Sequence, residues 1–177
     1  MDFFQLVNTR ESCRDFDPAR PVETELLLKM TEAARLAPSA CNSQPWHFTV
    51  VNTPETCAAL APTLQGLGMN KFTSACPAFI VINEEEASLS AKVGSRFKKQ
   101  DFSQIDIGIA CAHLVFAARE LGLSTCILGW FSEPALKAVT GIAEDKRIRL
   151  VIAVGYAKSD TLREKKRKSA EEVVTVL

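Results

Sequence analysis

The sequence has few of the residues and motifs that mark several large protein classes. It contains one tyrosine, two histidines and two tryptophans, and its six cysteines include no C-x-x-C pair. Because zinc and iron–sulfur sites use closely spaced cysteine and histidine ligands, the sequence predicts no metal site. Several cysteines lie in apolar runs, so we expect packed, unreactive thiols.

An excess of charge of either sign is also missing. Lysine and arginine total 21, as do aspartate and glutamate, and the formal net charge is zero. The whole chain therefore exerts no net attraction on nucleic acid or an anionic membrane, and we expect neither as a partner. No stretch approaches the roughly 20 apolar residues of a membrane-spanning helix, and the N-terminus lacks a basic leader, which favours a cytoplasmic protein.

Motifs of common nucleotide-binding and hydrolytic folds are absent as well. Gly66-Leu67-Gly68 lacks the third glycine of a dinucleotide-binding loop, and the chain has no G-x-x-x-x-G-K-[ST] loop and no G-x-S-x-G elbow. These absences exclude a dedicated dinucleotide domain and an evident hydrolase nucleophile. A Cys–His pair stays open, although neither His47 nor His113 stands in a pattern that singles it out.

What the sequence does contain is the pattern of a single α+β domain over residues 1–177, with helices packed on a central sheet. Helical patterns cover residues 23–37, 87–99, 103–121 and 132–139, and strand-like runs cover 46–51, 77–83, 125–130 and 148–154. The helix over 103–121 is apolar on nearly every side, which indicates burial against several neighbours or a partner subunit. The C-terminal residues 171–177 end in a β-prone run.

Basic residues occur in alternation near both ends of the chain. Arg10 and Arg14 flank Ser12, and Lys165 is followed two positions later by Arg167. In an extended segment, alternate side chains point the same way. Two cationic pairs and a hydroxyl suit a phosphate monoester, while the alternative is an ordinary solvated basic tail.

Longer motifs resemble those of the nitroreductase family in order and spacing, over nearly the whole chain. They are Arg10-Glu11-Ser12-Cys13-Arg14-Asp15-Phe16, Pro38-Ser39, Asn42-Ser43-Gln44-Pro45-Trp46-His47-Phe48, Asp106-x-Gly108, Glu120-Leu121-Gly122-Leu123, Gly129-Trp130-Phe131, Gly155-Tyr156 and Lys165-Lys166-Arg167-Lys168. The P-S-x-x-N-x-Q-P-W-x-F string over 38–48 is the specific part.

The resemblance implies an α+β fold with a central mixed or antiparallel sheet flanked by helices, in an intertwined homodimer. It implies FMN in a crevice between the subunits, with the tail over about 158–177 embracing the partner. The implied reaction is a ping-pong cycle in which NADH or NADPH reduces the flavin and a small acceptor, such as a nitroaromatic or a quinone, reoxidises it.

The same resemblance assigns site residues by position. Arg10, Ser12 and Arg14 would lie along the phosphate, ribityl and pyrimidine side of the flavin, and Lys165 and Arg167 would complete the phosphate site. The remaining residues would contact the flavin from the other subunit (Pro38, Ser39 and Asn42), at the ring edge or ribityl chain (Asn70), or through backbone groups near the reactive nitrogen (Leu128 and Gly129).

Two positions carry alternatives. Asn70 is equally well explained as a turn asparagine. Asp106 is a candidate for positioning a substrate or a proton, against a purely structural carboxylate at a helix start or an interface. No residue is assigned as a general acid or base.

Three other functions remain open at this point. The chain could be a reductase or oxidase of the same fold for one specific metabolite. It could be an FMN-binding module whose ligand never turns over. A metal or redox sensor that uses the cysteines is the third, although their spacing supports no ligand set.

Overall fold

The computed structural model describes residues 2–159 and 161–177, with Lys92 described by its backbone only. In this part of the chain the helices are α1 (Phe3–Thr9), α2 (Thr24–Arg35), α3 (Pro54–Leu60), α4 (Leu89–Lys98), α5 (Phe102–Glu120), α6 (Glu133–Thr140) and α7 (Ala170–Val173). The strands are β1 (Trp46–Val51), β2 (Ala78–Glu84), β3 (Ser124–Leu128) and β4 (Arg147–Gly155).

The four strands form one antiparallel sheet in the order β1-β2-β4-β3. β2 lies between β1 and β4, and its ladder with β4 is interrupted by a register shift between Ile82 and Asn83. All residues from 78 to 83 are buried. This uniform burial explains why the strand is apolar without alternation, because both of its faces are covered.

Each face of the sheet packs against its own pair of helices. On one face, α2 and α5 bring Leu27, Met30 and Leu114 against Ile80 and Ile152. The opposite core contains side chains of α3, α6 and the sheet, among them Leu60, Leu136, Phe79, Val151 and Ala153. The predicted α+β architecture with an antiparallel central sheet is confirmed, and the homodimer stays a prediction.

Two short helices are missing from the sequence prediction. α1 has no buried residue and begins with a capping box between Asp2 and Gln5. α3 begins with Thr53 as its cap and Pro54 in its first turn. Seven residues are too few to show a helical period, so the cap residues are the only signal. The β-prone run at the C-terminus forms no strand in the described chain: α7 covers Ala170–Val173, and residues 174–177 have no regular secondary structure.

No single helix of the described chain is long and apolar enough to cross a membrane, although α4 and α5 together pass by length and composition across a bend of 113°. The predicted single domain over 1–177 and the tail over 158–177 include Met1 and Asp160, which lie outside the described residues.

Candidate functional site

The N-terminal basic residues lie on an extended segment beside the free edge of β3. Arg10 follows α1 with extended backbone angles. Ser12 forms a parallel bridge with Thr125, and the Cys13 N–H donates to the Thr125 carbonyl at 2.9 Å. Because this pairing is parallel, the segment runs in the same direction as β3.

The chain after β4 pairs with the same N-terminal segment. Phe16 forms an antiparallel bridge with Ala157, and the Lys158 N–H donates to the Asp15 carbonyl at 3.1 Å. These contacts turn the start of the tail back along the N-terminal residues. The two basic clusters, more than 150 positions apart in sequence, are thereby brought together.

Side chains of the tail then attach to the N-terminal segment directly. The Arg163 guanidinium donates to the Glu11 carboxylate at 3.2 Å and also to the Ser12 carbonyl. The Lys165 ammonium donates to the Arg10 carbonyl. Arg163 was missed by the sequence prediction, although it continues the alternation of Lys165 and Arg167 by one step and could have been found from that spacing.

The result is a cleft of about 320 Å³ whose lining is strongly basic, called here the basic cleft. Six cationic and two acidic side chains, together with Ser12, line it: Arg10, Glu11, Ser12, Arg14, Arg163, Glu164, Lys165, Lys166 and Arg167. Burial, and after it the like charges of Arg10 and Arg167, lower the pKa of the Lys165 ammonium. Within the described part of the chain, the two acidic side chains of the basic cleft therefore do not balance its six cationic ones.

The polar loop before β1 is held in a fixed shape on another part of the surface. Ser39 Oγ accepts from the Gln44 N–H at 2.9 Å, and both carboxylate oxygens of Asp106 accept from the Ala40 N–H at 3.1 Å. Cys41, Asn42 and Gln44 all have φ near +50°, a conformation that costs about 1 kcal/mol or more for a residue with a side chain.

Asp106 has a clear structural task in this arrangement. Its side chain is 4% exposed, and it joins the middle of the loop to α5. A second contact, from the Ser88 N–H to Ser43 Oγ at 2.8 Å, joins the loop to the start of α4. Of the roles weighed from sequence, a structural carboxylate fits these contacts.

A third group of predicted residues lies at the end of β3. Leu128 is the last residue of the strand, and its side chain is buried in the core. Gly129 follows it and is exposed. Asn70 has a left-handed backbone and donates through Nδ2 to the Leu64 carbonyl at 3.1 Å and to the Trp130 carbonyl at 3.5 Å. This geometry agrees with the alternative role of Asn70, that of a turn asparagine.

The predicted site residues thus fall into three groups in one chain. Five line the basic cleft: Arg10, Ser12, Arg14, Lys165 and Arg167. Leu128, Gly129 and Asn70 lie together at the end of β3. Pro38, Ser39 and Asn42 lie on the loop fixed by Asp106, and they line no part of the basic cleft.

The cysteine side chains offer little chemistry. Five of the six are buried, and only Cys41 is exposed. Burial raises the pKa of Cys57 to about 11 and that of Cys111 to about 12, so both stay neutral thiols near pH 7. Among the described residues, no group of three or more His, Cys, Asp and Glu side chains is placed to hold a metal ion.

Comparison with known proteins agrees with this fold. The family described as "Nitroreductase family" matches residues 7–67 and 64–156, which is most of the chain. The chain belongs to the nitroreductase family. It is similar to YodC of Bacillus subtilis (strain 168), provisionally named an NAD(P)H nitroreductase, with 24% identity over 86% of this chain and 88% of that protein.

Two further proteins are similar to the chain. Iodotyrosine deiodinase 1 of Rattus norvegicus is 23% identical over 99% of this chain and 70% of that protein. A solved structure from Exiguobacterium sibiricum 255-15, provisionally named a nitroreductase and in complex with FMN, matches with a TM-score of 0.84 and 20% identity, covering 100% of this chain and 98% of that one. This last likeness is one of fold.

Proposed function

We propose that the chain is an FMN-dependent oxidoreductase that takes electrons from NADH or NADPH and passes them to a small acceptor such as a nitroaromatic or a quinone. The observation that carries the proposal is the basic cleft, where a chain of zero net charge gathers six cationic side chains. Membership of the nitroreductase family, the FMN in the Exiguobacterium sibiricum structure and the name of YodC support it.

The donor set of the basic cleft fits a phosphate monoester. Guanidinium groups offer forked pairs of N–H donors, and an ammonium adds a point charge. In the proposed complex, Arg10, Lys165 and Arg167 hold the phosphate, and Ser12 contacts the ribityl chain. Arg14 then lies on the pyrimidine side, where its charge stabilises negative charge on the reduced ring.

The groups at the end of β3 fit the ring of the flavin. Leu128 and Gly129 contribute backbone groups near the reactive nitrogen, and glycine permits close approach. Asn70 contacts the ring edge or the ribityl chain through its amide oxygen, because its Nδ2 group already donates to two backbone carbonyls. Pro38, Ser39 and Asn42 reach the flavin from the second subunit, on a loop whose shape is already fixed by Asp106.

The protein groups in this proposal bind and orient. When bound, FMN supplies the redox chemistry, accepting a hydride from the nicotinamide and passing electrons to the acceptor. The chain's own residues hold the phosphate, align the ring and exclude water around it. Donor and acceptor would occupy the same cavity in turn, which gives ping-pong kinetics, and no residue is assigned as a general acid or base.

The homodimer is part of the proposal, with the tail over about 158–177 embracing the partner. Its support is the exposure of the tail: every described residue from 161 to 177 is exposed except Lys165, which is half-buried. Val173, Val174, Val176 and Leu177 are each at least 60% exposed. Apolar side chains in such a run favour a partner surface. A cytoplasmic location, and the absence of nucleic-acid and membrane partners, remain predictions.

A visible spectrum followed by an anaerobic titration tests the proposal. We expect yellow protein whose flavin absorbance bleaches with NADH or NADPH and recovers when a nitroaromatic or a quinone is added. Protein that is colourless and cannot be reconstituted with FMN would contradict the cofactor. Bound flavin that no nicotinamide reduces would instead identify an FMN-binding module.

Arg167→Ala tests the phosphate site more sharply. Loss of a charge-assisted contact worth about 1.5–3 kcal/mol should weaken FMN retention by roughly ten- to 150-fold. Lys168→Ala is the matched control, because it removes the adjacent cation, which does not line the basic cleft. Equal FMN affinity in the two variants would remove Arg167 from the site.

A second candidate function keeps the fold and the cofactor but changes the acceptor. The similarity to iodotyrosine deiodinase 1 over 99% of this chain favours it, because that relative is named for one specific substrate. Steady-state rates with a panel of nitroaromatics, quinones and halogenated phenols separate the two. One acceptor with a kcat/KM far above the others would support a dedicated enzyme, and similar values throughout would support the general reductase.

A further inference from the structure

A second cleft lies beside the basic cleft and has its own cationic lining. It has a volume of about 230 Å³ and is bounded by the ends of α1 and α5, the start of β3 and the chain after β4. Arg10, Arg20 and Arg119 line it, together with the hydroxyl groups of several side chains: Thr9, Ser124, Thr125, Tyr156 and Ser159. It is called here the Arg20 cleft.

Two of its three guanidinium groups are oriented by contacts that leave N–H donors free. The Arg20 guanidinium carbon lies 3.8 Å from the centroid of the Tyr156 ring. Tyr156 is held in turn by its hydroxyl, which donates to the Glu23 carboxylate at 3.2 Å, and burial together with that bond raises the pKa of the phenol. Arg119 Nε donates to Thr9 Oγ1 at 3.2 Å. The cleft therefore has a fixed wall of donors.

The charges of this wall are poorly compensated. Within residues 2–159 and 161–177, the Arg10 and Arg20 guanidinium groups form no ion pair and no hydrogen bond with a carboxylate. Glu11 also lines the cleft, but the Arg163 guanidinium and backbone N–H already donate to its carboxylate, each at 3.2 Å. Cations gathered in a concave site without a partner favour an anionic ligand, because the ligand offsets their mutual repulsion.

We propose that the Arg20 cleft is a separate binding site for a phosphate group, either free or at the end of a small phosphorylated molecule. The ligand's oxygens would accept from Arg20, Arg119 and the Ser124 hydroxyl. The hydroxyls of Thr9, Tyr156 and Ser159 already donate to protein oxygens. Guanidinium forks and a hydroxyl together match the several acceptors of a phosphate better than the single edge of a carboxylate. This part of the proposal does not depend on the flavin.

One consequence rests on the proposed FMN site. Arg10 lines both clefts, so a phosphate in the Arg20 cleft competes for its donors and repels the phosphate of FMN. Binding at the two sites is then negatively coupled, and by linkage each ligand weakens the other by the same factor. The Arg20 cleft would thus let a phosphorylated metabolite tune the retention of the cofactor.

Phosphate binding to the full chain tests the site directly. Inorganic phosphate and a small phosphate monoester are titrated calorimetrically, into FMN-loaded and into FMN-free protein, in a buffer without other oxyanions. Arg20→Gln and Arg119→Gln should each weaken phosphate binding to the loaded protein by about tenfold or more. Arg20→Lys should recover part of the loss. Stronger binding of the monoester than of free phosphate identifies a phosphorylated molecule as the ligand, and the reverse identifies free phosphate.

The controls separate this site from the cofactor site. Arg35→Gln removes an exposed arginine of α2 whose partner is Glu32, and it should leave phosphate binding unchanged. FMN retention in phosphate-free buffer should also be unchanged in Arg20→Gln. Parallel losses of FMN and phosphate in that variant would show that the cleft belongs to the cofactor site, and the proposal would be wrong. If the wild type binds no FMN at all, the proposed function fails, and phosphate binding to the unloaded protein still tests the cleft.

Two further outcomes would overturn the proposal. Phosphate binding that is unaffected by both arginine substitutions would place the ligand elsewhere. Asp160 follows Ser159 in sequence and lies outside the described residues, so Asp160→Asn is measured as well. Unchanged phosphate binding in that variant is expected. Phosphate binding seen only in Asp160→Asn would mean that the Asp160 carboxylate compensates the cations of the cleft in the wild type. Thermal unfolding of every variant confirms that it is folded.

Discussion

Among the glycines, Gly155 is the one where an added methyl group should destabilise the fold most. It ends β4, and a Cβ atom there would lie 2.8 Å from Pro77 Cδ and 2.9 Å from Phe16 Cδ1. Gly155→Ala should lower the free energy of unfolding by about 1–3 kcal/mol through overpacking, as measured by urea denaturation. Gly94→Ala is the control: its Cβ meets only Phe102 at 3.7 Å, and alanine favours the helix by up to about 1 kcal/mol. Equal stability in the two variants would contradict this packing.

Asp106 offers a second test at the scale of one side chain. Asp106→Ala leaves the N–H of the half-buried Ala40 without its acceptor, so we expect a loss of about 1–3 kcal/mol in unfolding free energy. Asp106→Asn keeps a carbonyl oxygen and should lose less. Because the loop contributes to the proposed flavin site, FMN affinity should fall in the same order. An Asp106→Ala protein that is as stable as the wild type would rule out this anchoring role.

Sequence patterns identify which residues are special more easily than they explain why. Asp106 stood out as a charge in an apolar helix, but its partner, the Ala40 N–H, is 66 positions away. Gly155 formed part of a family motif, while the reason for glycine lies in contacts with Phe16 and Pro77. Both explanations depend on tertiary neighbours, which periodicity and spacing cannot reveal.

At the scale of elements, long and strongly patterned segments were predictable and short ones were not. β2 and α5 were read correctly because each is apolar over most of its buried length. α1 and α3 depend on local caps and on docking to a neighbour, as when the Phe3 ring packs 5.8 Å from that of Phe116. The charge pattern offered the joining of the two basic clusters only as one of two alternatives, and the family resemblance was needed to choose it, since the joining requires the bridge between Phe16 and Ala157.

Lys165, in the C-terminal tail, should make the affinity for FMN depend on pH. The pKa of Lys165 is lowered from its usual 10.5 in the free protein, chiefly by burial, and a bound phosphate should raise it. Between those two values, binding takes up a proton, so FMN affinity should fall as pH rises, by up to about tenfold per pH unit. Below the lowered pKa the affinity should be independent of this group.

Fluorescence titrations with FMN from neutral pH up to about pH 10.5, the usual pKa of a lysine, measure the effect. Lys165→Arg should flatten the profile, because arginine stays charged throughout this range. Lys168→Arg should keep the slope of the wild type. The same slope in Lys165→Arg would assign the dependence to another group.

The whole molecule raises the question of why one chain leaves so much apolar and cationic surface uncovered. The loop over 38–44 is held by hydrogen bonds yet lies apart from the basic cleft, and the C-terminal valines lie outside the hydrophobic core. A second copy would account for both, because one chain's loop would complete the other's cleft. The family resemblance predicted this division between subunits, and it stays a prediction; in the single chain the predicted site residues lie in separate groups.

A truncation that ends the chain at Lys168 tests this division. It removes α7 and the exposed residues 173–177 but retains Lys165 and Arg167. If the tail holds the partner, sedimentation should show a monomer, and FMN affinity should fall by about tenfold or more although every residue of the basic cleft is present. Arg167→Ala supplies the opposite case, a dimer with weakened FMN binding. A truncated monomer that retains FMN as tightly as the full chain would show that one subunit suffices to hold the flavin.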